Sequence, residues 1–112
     1  MSDKVKIPGI PFPNRPEWIV PPLSLGALEL LQERIGKLEA GSVDPENIRT
    51  IVDATHSALV RNYPALTREE VAGEIDLGNM MDVIAAVMDV SGVRRKALED
   101  EDAAKKAAAT SL

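Results

Sequence analysis

The stretch Trp18-Ile-Val-Pro-Pro-Leu-Ser-Leu-Gly-Ala-Leu28 decides the fold, because an extended segment broken by prolines passes here directly into an amphipathic helix. The paired prolines remove two amide donors and bias the residues before them towards extended backbone. Ser24 follows as an N-cap residue, and leucines at helical spacing begin behind it. The junction predicts a boundary between a proline-rich arm, residues 1–22, and a helical part.

The arm contains six prolines, which exclude helix from residues 1–22: Pro8, Pro11, Pro13, Pro16, Pro21 and Pro22. Between them, segments 5–7 and 18–20 either pair as a short hairpin around Asn14-Arg15 or lie unpaired along the body. A two-stranded hairpin alone is marginally stable. We therefore expect an extended arm and leave both arrangements open.

Two helices follow the arm. The first begins after Ser24 and ends by Gly41. Its apolar face is expected to be buried and consists of Leu25, Leu28, Leu31, Ile35 and Leu38. The second has Asp44 as its N-cap and Pro45 at its first position. Its predicted buried face is Ile48, Ile51, Val52, Thr55 and Leu59.

The next two helices are joined by a tight turn. Thr67-Arg-Glu-Glu70 has the form of a capping box, so a third helix is predicted from there to about Leu77. Gly78 is expected to end it in the left-handed conformation, and Asn79 to cap a fourth helix. This helix ends near Ser91-Gly92. Five of its residues are expected to face the core: Met80, Val83, Ile84, Val87 and Met88.

The fold class follows from these patterns and from composition. Hydrophobic residues make up 45% of the 112 residues but aromatic residues only 3%, which suits packed helices better than a large sheet. We predict an all-α (mostly) fold, a small bundle of about four helices over residues 23–93. The charged, alanine-rich tail, residues 94–112, is either a fraying helix or disordered.

Charge and residue usage exclude several classes of function. Residues 23–93 carry five basic and twelve acidic side chains, so their net charge of −7 repels a phosphate backbone. The third and fourth helices have the outline of a helix-turn-helix, but the second of them offers Asp82 and Asp89 and no basic residue before Arg94. We expect no nucleic-acid partner.

No constellation indicates an enzyme, a cofactor or a metal site. Cysteine is absent, His56 is the lone imidazole, and the glycines are dispersed and form no phosphate-binding loop. No apolar run approaches the length of a membrane span. We therefore expect a non-enzymatic cytoplasmic protein that contacts no membrane.

Two features suggest protein contacts, and each has a structural alternative. Met80, Met81 and Met88 place three thioethers on one helix, where they either line an adaptable groove or fill the core. The arm with Phe12 and Trp18 either packs against the core of its own chain or reaches a neighbouring subunit. A protein partner is expected in both functional readings.

Four segments, in their order between Trp18 and Gly92, resemble small tail assembly chaperones of long-tailed bacteriophages: 18–28, 62–71, 77–80 and 83–88. The resemblance implies a non-enzymatic phage protein in the bacterial cytoplasm. Such a protein coats the helix-rich tape measure protein before the tail tube polymerises, and is absent from the mature virion.

Under this hypothesis the chain is a homo-oligomer, and its partner is the tape measure protein. Physical reasoning assigns self-association to Phe12, Trp18 and Leu23, and client binding to Met80, Met81 and Ile84. Two alternatives remain at this point. One is a structural tail or head-to-tail component retained in the virion, and the other is a small helix-turn-helix regulator.

Overall fold

A computed structural model describes residues 7–92, and within that range two strands are followed by four helices. The elements are β1 (Ile10–Phe12), β2 (Arg15–Val20), α1 (Leu25–Gly36), α2 (Pro45–Leu59), α3 (Arg68–Gly73) and α4 (Met80–Val90). About half of the described residues are helical. The predicted tail, residues 94–112, lies outside this range.

The prediction of an all-α (mostly) fold is wrong, and the domain is mixed α/β. The arm folds back as an antiparallel pair of strands whose side chains enter the same hydrophobic core as the helices. Phe12 is only 1% exposed, and Val20 is fully buried. Proline excludes helix but is tolerated in edge strands, and both strands of a two-stranded sheet are edges.

The arm forms a hairpin, as one of the two arrangements left open for it, but its first strand differs from the predicted one. Ile10 lies opposite Val20 and Phe12 opposite Arg15, with an irregular register between Pro11 and Phe12. Asn14 has a φ of 68°, a left-handed conformation that asparagine tolerates in tight turns. The strand that pairs with β2 is Ile10–Phe12, and Ile7 precedes it outside any strand; residues 5 and 6 of the predicted segment lie outside the described range.

Side chains from the loop between α2 and α3 hold the hairpin in place. The buried Asn62 accepts a hydrogen bond from the Ile7 amide at 2.7 Å and donates to the Ile7 and Ile19 carbonyls at 2.9 and 3.2 Å. The Tyr63 hydroxyl accepts from the Ile19 amide at 2.8 Å. These bonds satisfy backbone groups that a third strand would otherwise pair, which explains why a two-stranded sheet persists here.

The predicted N-caps at Ser24, Asp44 and Thr67 are confirmed. Ser24 accepts from the Ala27 amide at 3.1 Å, and Asp44 accepts from the Glu46 amide at 3.2 Å. At α3 the capping box is complete, because the Thr67 side chain and the Glu70 side chain each accept a backbone amide of the other residue. The hydrogen bonds from Thr67 lower the pKa of the Glu70 carboxyl.

Thr67→Ala is expected to lower the free energy of unfolding by about 1 kcal/mol, because it leaves the Glu70 amide without its acceptor. The measurement is the urea midpoint at unchanged slope. Thr67→Ser keeps the hydroxyl and serves as the matched control. Equal midpoints for the alanine and serine variants would contradict the cap.

The predicted ends of the helices are less accurate than their beginnings. α3 ends at Gly73 and not near Leu77, and the described glycines with positive φ are Gly41 and Gly92, not Gly78. Asn79 stands at the start of α4, but its side chain caps no amide of that helix. It bonds backward to Asp76 and Glu74, so this link is closed by side chains and requires no left-handed glycine.

The core lies where α2 meets β2 and the other three helices. Its buried hydrophobic residues are Phe12, Val20, Leu23, Leu31, Ile35, Ile51, Ala54, Ala58, Leu59, Val71, Met80, Val83, Ile84 and Val87. Leu25 and Ile48 were predicted to be inward, but they are 83% and 38% exposed. For Leu25 the reason is that, among the described elements, α1 packs on α2 alone, and α2 covers only a narrow stripe of the helix.

Candidate protein-binding groove

An open apolar groove of about 250 Å³ lies between α2 and the segment that joins α3 to α4. Its lining residues are Ile48, Ile51, Val52, Ala72, Ile75, Asp76, Leu77 and Met80. Ile51, Val52 and Met80 are buried and form the floor, whereas Ile48 and Leu77 are exposed at the rims, Leu77 by 71%. Exposed apolar rims above an apolar floor indicate a surface that can bury the side chains of another protein.

The link between α3 and α4 places Leu77 at the rim. The Asp76 amide donates to Asn79 Oδ1 at 2.7 Å, and the Asn79 amide donates to Asp76 Oδ1 at 2.9 Å. Asn79 is buried, and its Nδ2 donates to the Glu74 carbonyl at 2.8 Å. Leu77 therefore lies in a turn closed by side-chain hydrogen bonds on both sides, and the conformation of this turn keeps the Leu77 side chain exposed.

A charged cluster joins the three helices behind this region. Asp53 on α2 accepts from Arg34 on α1 at 2.9 Å and from Arg68 on α3 at 2.6 Å. Partial burial acts to raise the pKa of Asp53, but the hydrogen bonds from Arg68 and Arg34 outweigh it and hold the pKa below its ordinary value of 3.8. The cluster anchors the first turn of α3 and thereby helps to fix one wall of the groove.

We expect the Asp53 cluster to stabilise the protein at neutral pH and to lose that contribution in acid. The folded-state pKa of Asp53 is lowered, so its stabilisation is fully present above the unfolded-state value of about 4 and is lost as pH falls through the folded-state pKa. Urea unfolding at pH 7 and at about pH 3 measures how much the free energy of unfolding falls in acid. Asp53→Asn should reduce the difference between the two pH values, and an unreduced difference would contradict this assignment.

Negative charge lies along the α3 side of the groove. Asp76 is the charged residue of the lining, and Glu69 stands one turn before Ala72 on the same face of α3. Neither carboxylate forms an ion pair within residues 7–92. The arginines of α1, α2 and α3 and the lysine that follows α1 are each already paired with a carboxylate: Arg34, Arg49, Arg68 and Lys37.

The structure brings one of the three predicted client-binding residues to the groove. Met80 forms part of the floor. Met81 is 39% exposed but does not line the groove, and its sulfur accepts from the Gly41 amide at 3.3 Å. Ile84 is buried in the core. The methionine-rich start of α4 therefore divides its side chains among groove, neighbouring loop and core.

The predicted self-association residues belong mainly to the core of the monomer. Phe12 and Leu23 are buried, and Trp18 is half-buried. The Trp18 ring meets Phe12 edge-on at 5.4 Å between centroids, and the Arg15 guanidinium lies 4.4 Å from the Trp18 ring centroid. Among these three predicted residues, Trp18 is the one that a second copy can reach while the hairpin stays folded.

Sequence reasoning missed most of the groove. Ile48 was assigned to the buried face of α2, and Leu77 to the end of the third helix. The available signal was Leu77 itself, a large apolar residue directly before the turn-forming pair Gly78-Asn79. The exposure of Leu77 depends on the turn that the hydrogen bonds between Asp76 and Asn79 close, and the sequence alone does not reveal these bonds.

Other kinds of site find less support in residues 7–92. No cluster of three or more potential metal ligands occurs in this range, and none of its helices is long and apolar enough to cross a bilayer. His56 Nε2 lies 2.9 Å from the Leu66 carbonyl oxygen, a contact that joins α2 to the loop before α3. Comparison of the chain with protein families, with curated proteins and with solved structures found no match.

Proposed function

We propose that this protein is a non-enzymatic phage tail assembly chaperone whose groove binds a helical segment of the tape measure protein. The observation that carries the proposal is the open apolar groove, with Leu77 exposed on a turn that side chains hold closed. The sequence resemblance supplies the identity of the client. The same proposal includes homo-oligomerisation, action in the bacterial cytoplasm and absence from the mature virion.

The size of the groove favours side chains over a small-molecule ligand. Sites for drug-sized ligands span about 300–1,000 Å³. A cavity of about 150 Å³ accommodates a benzene ring, so a groove of about 250 Å³ suits one or two apolar side chains. An amphipathic helix laid along an apolar groove presents such side chains one turn apart.

The test is coexpression with the tape measure protein, followed by affinity purification and size-exclusion chromatography with light scattering. We expect a soluble complex with many copies of this chain on each client. Separate elution of the two proteins, together with this chain in purified virions, would instead support a structural component of the tail or of the head-to-tail region.

A pair of variants tests the groove itself. Leu77→Gln replaces an apolar side chain on the exposed rim by a polar one of similar size and should weaken client binding about tenfold or more, because an apolar contact is replaced by a desolvated amide. Leu25→Gln is the matched control, since Leu25 is also highly exposed but lies on α1, away from the groove. Equal binding by the two variants would exclude the groove as the client site.

A further inference from the structure

We infer that the groove selects a basic amphipathic helix, one with two apolar side chains a turn apart and lysine or arginine beside them. This inference rests on the proposed function, because it specifies the chemistry of the client segment. It combines two separate observations, the shape of the apolar floor and the unpaired carboxylates at one wall.

The apolar half of the recognition follows from the floor and the rims. Ile51, Val52 and Met80 close the bottom, so an inserted side chain is removed from water on several sides. Ile48 and Leu77 stand at the rims and can flank the backbone of an occupant. Residues i and i+4 of a helix lie about 5–6 Å apart on one face, which allows two anchors to enter a groove of this volume together.

The charged half follows from the α3 wall. Glu69 and Asp76 are exposed, stand on either side of Ala72 in the sequence, and have no cation within the described residues. Nearby arginines cannot neutralise them without leaving their present partners, since Arg68 binds Asp53 and Arg49 binds Glu46. The whole body, residues 23–93, carries a net charge of −7. A positive occupant is therefore attracted, and an acidic helix is repelled.

The experiment uses the full protein and three labelled helical peptides of about 20 residues each. The peptides share one apolar face with leucines at i and i+4, and carry lysine, glutamine or glutamate beside it. Fluorescence anisotropy measures their affinities at about 0.05 M and about 0.3 M salt. We expect the lysine peptide to bind about tenfold or more tightly than the glutamate peptide, with the ratio shrinking at the higher salt concentration.

Conservative variants assign the preference to the groove. Asp76→Asn keeps an oxygen to accept the Asn79 amide, and Glu69→Gln keeps the side-chain length, so the fold is preserved while charge is removed. Each should reduce the preference for lysine severalfold. Glu29→Gln is the matched control, because it removes an exposed carboxylate from α1 and should leave the preference unchanged. Denaturation midpoints verify that all three variants fold.

Each outcome separates the inference from the proposed function. Equal affinity for the three peptides would overturn the charge selection and leave groove binding intact. Absence of peptide binding, with the tape measure protein still copurifying, would overturn the inference alone. Preference for the lysine peptide without any tape measure complex would support the inference and refute the proposed client. If Glu29→Gln reduced the preference for the lysine peptide as much as the groove variants do, the attraction would belong to the whole acidic body. That result would overturn the groove assignment.

Discussion

Phe12→Ala is expected to lower the free energy of unfolding by about 3–5 kcal/mol, the usual cost of removing a buried aromatic side chain. Phe12 is 1% exposed and belongs to the core cluster that also contains α2 and α4 residues. Its loss removes the edge-on contact with Trp18 and opens a cavity where β1 meets α4. Chemical denaturation followed by circular dichroism measures the effect on the helices.

The result distinguishes a structural hairpin from a detachable arm. If the arm were only a connector to neighbouring subunits, Phe12→Ala would leave helix unfolding unchanged. Leu25→Ala is the control, because this leucine is large and apolar but exposed, and its truncation should cost less than about 0.5 kcal/mol. Similar midpoints for the two variants would contradict the placement of β1 in the core.

Gly9→Ala should have the second largest effect, a loss of about 2–3 kcal/mol. A Cβ at residue 9 would meet the Val20 carbonyl oxygen at 1.8 Å and its carbon at 2.5 Å. Both are backbone atoms, so residue 9 must move away from the Val20 backbone of β2. The neighbouring hydrogen bonds between Ile7 and Asn62 must then shift as well. The unfolding midpoint and the protection of the Ile7 and Ile19 amides from hydrogen exchange report this change.

Gly36→Ala provides the matched substitution. A Cβ at this position meets nothing within 4 Å beyond its chain neighbours and the backbone of its own helix turn. The residue lies in α1, where alanine favours helix over glycine by up to about 1 kcal/mol. We expect unchanged or slightly increased stability. A loss for Gly36→Ala as large as that for Gly9→Ala would show that the effect comes from the glycine-to-alanine exchange and not from the close approach to Val20.

Local signals in the sequence predicted local structure well. Each of the N-caps at Ser24, Asp44 and Thr67 uses a side chain and an amide two or three residues apart, so the sequence holds both partners. The starts of α1, α2 and α3 were therefore predictable from their caps, whereas the predicted Asn79 cap of α4 does not form. The end of α3 was not, because Asp76 and Asn79 bond to each other and supply a turn where a left-handed glycine was expected.

The hairpin and the groove depend on contacts between residues far apart in the sequence. Prolines correctly excluded helix from residues 7–22, the described part of the arm. They carry no information that Asn62 donates a hydrogen bond to its backbone or that Tyr63 accepts one from it. The groove likewise combines α2 with a link more than twenty residues later. Periodicity alone could not show that Ile48 would be left at a rim, since its spacing matches that of the buried residues around it.

The bonds that hold the hairpin also constrain the order in which the chain can fold during synthesis. Ile19 depends on Asn62 and Tyr63, and the Leu23 amide depends on the Ser91 hydroxyl 68 positions later. A ribosome therefore releases Phe12 and Val20 long before their partners exist, and a bare hairpin is too weak to persist alone. Such distant contacts also slow folding relative to a simple helical bundle. Phe12 and Val20 are thus made before α2 and α4 but become ordered only with them, and a nascent chain carries these apolar side chains uncovered until α4 has emerged.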